Sequence, residues 1–108
     1  MEIYNLRDMF NGWIVGNFEP SILRTDQFEV AIKSYSKGEY EQKHYHKRAQ
    51  EITVIISGKV KMNSKYYQEG DIILISPNES TDFLAITNCK TVVIKTPSIK
   101  DDKYLIKE

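Results

Sequence analysis

Apolar and polar positions alternate with a period of two along most of this 108-residue chain. The stretches "FEVAIKSY", "EITVIIS", "DIILIS" and "KTVVIKT" are short and rich in β-branched and aromatic residues, and no segment keeps a helical period beyond about two turns. Strands are therefore expected over 13–18, 28–35, 40–46, 51–57, 59–63, 71–76, 82–87 and 90–96. Turn residues fall between them: Lys37-Gly38, Ser57-Gly58, Asn63-Ser64-Lys65, Glu69-Gly70 and Pro77-Asn78-Glu79-Ser80. Strands recurring this often predict an all-β sandwich or barrel, a single domain over residues 1–108. Residues 3–11 fit a short helix or an edge strand. The tail "SIKDDKYLIKE" carries Tyr104, Leu105 and Ile106 and fits a last strand or a short helix packed on the barrel.

Composition removes several classes of function. Fifteen basic and fifteen acidic residues cancel, so the charge gives no reason to expect nucleic acid as a partner. The single cysteine, Cys89, has no internal partner; a reducing, cytoplasmic setting and a buried small side chain are expected. No window reaches the ~20 apolar residues of a membrane span, and "MEIYNLRDMFNGW" lacks the apolar core of a signal peptide.

The chemistry concentrates in "HYHKRAQEITVIISG", residues 44–58, which holds both histidines of the chain. Residues i and i+2 of a strand share a face, so Gln42, His44 and His46 are expected together. "KRAQ" reads as a turn, after which residues 51–57 return antiparallel beside the first strand and bring Glu51 to the histidine face. Two imidazoles and a carboxylate suit iron(II), manganese, nickel or zinc. Taken alone, His-x-His is equally the pattern of two polar residues on a wet strand face.

The wider spacing decides between these. Gly38, His44, His46, Glu51 and Gly58 stand at the intervals of the first signature motif of the cupin superfamily, which the chain resembles over about residues 28–97. The resemblance implies a small antiparallel β-barrel or jelly roll with one divalent metal held between its sheets by His44, His46 and Glu51. The second cupin motif is matched at Gly70, the following apolar strand and Pro77. It departs at Glu79, where glycine is usual, at Asp82, where a fourth histidine ligand is usual, and at Ile86. Asp82 is accordingly either a fourth ligand, a group behind the ligands or against the substrate, or a surface turn residue. If it is not a ligand, it is the candidate general base.

With Glu51 facing the cavity, Thr53, Ile55 and Ser57 face it too, and Ile52, Val54 and Ile56 face outward. A row of β-branched residues on an outer face calls for cover, from the N-terminal segment 1–27 or from a second copy; a homodimer is expected. On strand 28–35, Phe28, Val30 and Ile32 are assigned to the core, and Lys33, like Lys95, to solvent. Tyr35 and Tyr40 are placed at a pocket rim, Trp13 and Phe18 in the core, an interface or a pocket wall. The resemblance implies a metal-dependent isomerase, epimerase or lyase acting on a small polar molecule such as a sugar or sugar nucleotide. The alternatives are a dioxygenase, a non-catalytic binding or sensing barrel, and a metal-free enzyme using the histidines as acid and base.

Overall fold

In the computed structural model, which describes residues 1–107, eleven strands form two sheets. They are β1 Trp13–Gly16, β2 Leu23–Arg24, β3 Glu29–Tyr35, β4 Tyr40–His46, β5 Gln50–Ser57, β6 Lys59–Met62, β7 Lys65–Gln68, β8 Ile72–Ile75, β9 Thr81–Ala85, β10 Cys89–Thr96 and β11 Lys103–Leu105. One sheet has the order β2-β1-β3-β10-β5-β8 and the other β11-β4-β9-β6-β7. All pairings are antiparallel except β1 with β2. The segment 3–11 holds a 3₁₀ turn, Leu6–Asp8, capped by the Asn5 side chain, and an isolated bridge from Phe10 to Trp13. The tail forms β11, which closes one edge on β4.

Chain reversals follow local chemistry. Gly58 joins β5 to β6 at φ +86°, and a Cβ there would lie 2.3 Å from the Asn88 carbonyl oxygen, so this turn admits only glycine without rearrangement. Asn63 and Ser64 turn β6 into β7, both at positive φ. The strand β7, "KYYQ", is too short and too polar at its ends to stand out in the sequence, yet it pairs with β6 along its whole length.

The core between the sheets is built from Ile55, Val60, Met62, Ile75, Phe83, Ala85 and Cys89. Cys89 is buried, as its solitary position suggested. The phase of β3 is the reverse of the one expected. Pairing with β10 sets Ala31 opposite Val93 and Lys33 opposite Thr91, so Ala31 is fully buried and Lys33 lines the interior. Phe28 is 37% exposed, and Val30 and Ile32 belong to the outer face. The reason lies in that outer face, which is itself apolar. Register places Val30, Ile94, Ile52 and Leu74 in one row, and Ile32, Val92, Val54 and Ile72 in the next. Apolarity alone therefore did not distinguish the two sides of this sheet.

Candidate functional site

The histidine strand and the glutamate strand are not neighbours in one sheet. β4 pairs with β9 and β11, whereas β5 pairs with β10 and β8 in the opposite sheet. The turn 47–49 carries the chain across the barrel, and Glu51 meets His46 through the interior. Nε2 of His46 lies 3.5 Å from Oε1 of Glu51. The His44 and His46 rings stand edge to face with centroids 5.5 Å apart. His44, His46 and Glu51 are all buried.

A bulge in β4 shapes the site. Glu41 pairs with Phe83 and His44 with Thr81, so two residues on β4, Gln42 and Lys43, stand against one, Asp82, on β9. Glu41 and His44 therefore both face inward despite their odd separation. Gln42 leaves the histidine face, and its side-chain amide donates to the Ile106 carbonyl.

Both imidazoles are oriented through backbone carbonyls. Nδ1 of His44 is 2.9 Å from the Gln42 oxygen, and Nδ1 of His46 is 3.0 Å from the Asp102 oxygen. Towards a carbonyl, Nδ1 acts only as a donor, so in the neutral rings each Nε2 keeps its lone pair. Burial lowers the pKa of His44 and favours that neutral form. Nε2 of His46 is buried without a hydrogen-bond partner, and a buried polar atom in that condition calls for an occupant. Burial pushes the Glu51 carboxyl up, but His46, Lys95 and the Thr53 hydroxyl, which donates at 3.0 Å, outweigh it and hold it below its ordinary value.

Asp82 does not join this group. Thr81, Phe83 and Ala85 are the buried positions of β9, and Asp82 is out of phase with them. Its carboxylate accepts from the Asn63 backbone N–H at 2.8 Å, clasping the β6–β7 turn at the edge of the cavity. The side chain facing His44 from β9 is that of Thr81. Among the described residues, no three His, Cys, Asp or Glu side chains are gathered as a ready-made metal cluster. The donor chemistry fits a metal in another respect: two imidazoles with free Nε2 atoms and a buried carboxylate face one interior.

That interior opens into a cavity of about 250 Å³ bordered by His44, Glu51 and Thr53 on one side and by Tyr35, Glu41 and Trp13 on another. The Tyr35 hydroxyl donates to Glu41 at 3.2 Å. Burial, then the Glu41 charge, raises the Tyr35 pKa, so its proton is held firmly. Lys33, Lys95 and Lys103 also line the cavity, contrary to the expectation that Lys33 and Lys95 are solvated. Tyr40, expected at the rim, is 54% exposed on the outside and does not line it.

No model of a known protein family matches the sequence, and no curated protein matches it. Solved structures do. A double-stranded β-helix protein from Klebsiella pneumoniae subsp. pneumoniae MGH 78578 superimposes with a TM-score of 0.72 at 17% identity, covering 98% of this chain and 92% of its own. The DMSP lyase DddQ from Ruegeria pomeroyi DSS-3 gives 0.71 at 16% identity, over 86% of this chain and 49% of its own. A sugar phosphate isomerase of the cupin superfamily from Silicibacter pomeroyi DSS-3 gives 0.60 at 19% identity, over 65% of this chain and 50% of its own. The chain has the cupin fold. It spans about half of the two enzymes and nearly the whole of the Klebsiella protein. Among the described residues no helix is long and apolar enough to cross a membrane.

Two features of this cupin barrel lay outside the sequence reading. Asp102, in a charged tail, is buried and accepts from the backbone N–H groups of Lys47, Arg48 and Ala49. It thereby fixes the turn between His46 and Glu51, and its own carbonyl orients His46. Glu41 enters through the bulge, which no two-residue periodicity reveals.

Proposed function

We propose that this cupin is a metal-dependent enzyme of the isomerase, epimerase or lyase type acting on a small polar molecule, with a sugar or sugar derivative as the favoured class. The observation that carries the reading is the buried, unpartnered Nε2 of His46, 3.5 Å from the Glu51 carboxylate, in a barrel whose imidazoles are both tied back at Nδ1. His44, His46 and Glu51 would hold one divalent ion, iron, manganese, nickel or zinc. When bound, that ion supplies Lewis-acid polarisation of a carbonyl or hydroxyl oxygen. The chain's own groups supply the rest. Thr53 and Lys95 keep Glu51 ionised and oriented. Tyr35 faces the cavity as a hydrogen-bond donor, and Glu41, which accepts from it, is the carboxylate placed to take a proton. The similarity to structures of a DMSP lyase and a sugar phosphate isomerase supports an enzyme of this kind.

The working form is proposed to be a homodimer. On the outer face of the six-stranded sheet, Ile72 is 70% exposed, Leu74 57% and Ile56 47%. Paired across copies, the two four-residue apolar rows would be shielded from water.

The test is metal content by mass spectrometry, on wild type and His46→Ala purified without chelator. One equivalent of a single transition metal in the wild type, lost from the variant, is the expected result. No metal in either protein after incubation with iron, manganese, nickel and zinc would refute the reading.

A further inference from the structure

Of the three lysines around the cavity, only Lys95 has a part in the metal site, through its charge beside Glu51; Lys33 and Lys103 have none. Lys33 sits on β3 and Lys95 on β10, and their Nζ atoms lie 5.2 Å and 5.0 Å from the centre of the same Trp13 ring. Lys103 comes from β11, opposite His46 in register. All three border the cavity that His44 and Glu51 also border. Three carboxylates border it as well, but each is engaged: Glu51 with Thr53, Glu41 with Tyr35, Asp82 with the Asn63 backbone. The lysines approximately cancel these charges. A divalent cation added to His44, His46 and Glu51 would leave the cavity with two uncompensated positive charges. Thr91, 1% exposed and paired with Lys33 in register, adds a buried hydroxyl with no hydrogen-bond partner facing the same space.

We infer that the substrate is a small anion, its carboxylate or phosphate held by Lys33 and Lys95 beside Trp13. This deepens the proposed function and rests on it for the second half of the pose, in which a hydroxyl or carbonyl oxygen of the same molecule points to His44, His46 and Glu51. The Trp13 ring ties the two lysines together: its π faces attract ammonium groups, and both Nζ atoms lie within 5.2 Å of its centre, in reach of one small anion. A lysine makes a point charge rather than a planar fork, so carboxylate and phosphate both satisfy it. Size narrows the class. The cavity of about 250 Å³ falls below the roughly 300–1,000 Å³ of sites for drug-sized ligands, which favours a short-chain acid or ester over a nucleotide.

The test uses three matched probes, glycerate, glycerol 3-phosphate and glycerol, titrated calorimetrically into wild type, Lys33→Gln and Lys95→Gln, each with and without metal. Glycerate or glycerol 3-phosphate is expected to bind at least tenfold more tightly than glycerol, and each variant to lose about tenfold for the anion only. Which anion binds better distinguishes carboxylate from phosphate. Circular dichroism on both variants checks the fold, and Lys33→Arg is expected to restore binding. Equal affinity for glycerol and both anions, or anion binding untouched by both substitutions, would overturn the inference even if the metal loads as proposed. Lysine-dependent anion binding by a protein that takes no metal would uphold it while removing the metal-dependent reading.

Discussion

Asp102 offers the most direct test of how the site is held. Its carboxylate receives the Ala49 N–H at 2.9 Å, the Arg48 N–H at 3.1 Å and the Lys47 N–H at 3.2 Å. Hydrogen bonds to a charged group are worth about 1.5–3 kcal/mol each. The three do not add in full, because Lys47 and Arg48 are exposed and water can replace the carboxylate there. Ala49 is buried, and its N–H has no such substitute. A loss of about 3 kcal/mol is expected for Asp102→Ala and about 2 kcal/mol for Asp102→Asn, whose amide can present only one oxygen to the three donors. At roughly 4 °C or more per kcal/mol for a domain of this size, Asp102→Asn should melt about 8 °C or more below wild type near neutral pH. The sign of the pH dependence is fixed. Burial pushes the Asp102 carboxyl up, but the N–H groups of Ala49, Arg48 and Lys47 outweigh it and hold its pKa below the ordinary value. A lowered folded-state pKa gives stability that is full above the ordinary carboxylate range and is lost as pH falls through the lowered value. The gap between wild type and Asp102→Asn, followed by circular dichroism from about pH 7 to about pH 3, should therefore shrink on the acid side. A gap of under about 2 °C at neutral pH, or one that stays constant into acid, would refute the reasoning.

Ile55→Ala removes a fully buried side chain between the sheets and is expected to cost about 2–5 kcal/mol in denaturant unfolding. Gly58→Ala places a methyl group against the Asn88 carbonyl at φ +86° and should lose at least about 1 kcal/mol, whereas Gly38→Ala, with open space around its Cβ, should lose less by the same assay. Ile72→Lys combined with Leu74→Lys is expected to give a monomer in sedimentation velocity where wild type sediments as a dimer; an unchanged wild-type monomer would dispose of the homodimer.

The sequence made the strands legible because their chemistry is local. β4 begins and ends where the pattern placed it, and β5 and β10 each extend it by one residue at the start. The spacing picked out His44, His46 and Glu51, and the structure buries all three, although on two sheets rather than within one. The direction of β3 was not legible, since a sheet with apolar residues on its outer face removes the signal on which such an assignment relies. The place of Asp82 was left open among three alternatives for a related reason. Motif spacing gives a position along the chain, while the phase of β9 is set by Phe83 and Ala85 packing into the core. Asp102 and the three lysines become visible only when strands far apart in sequence are brought together.

The bulge in β4 also bears on how such a protein tolerates change of length. In a regular strand, inserting or deleting one residue turns everything beyond it to the other side. Here one extra residue is already present between Glu41 and His44, and it alone lets a carboxylate and an imidazole at odd separation look into the same space. Deleting Gln42 or Lys43 would restore a regular ladder in which Glu41 and the histidines, now at even separation, still share the inner face. Strand β4 can therefore shed one residue at the bulge and keep its carboxylate and both histidines directed into the barrel.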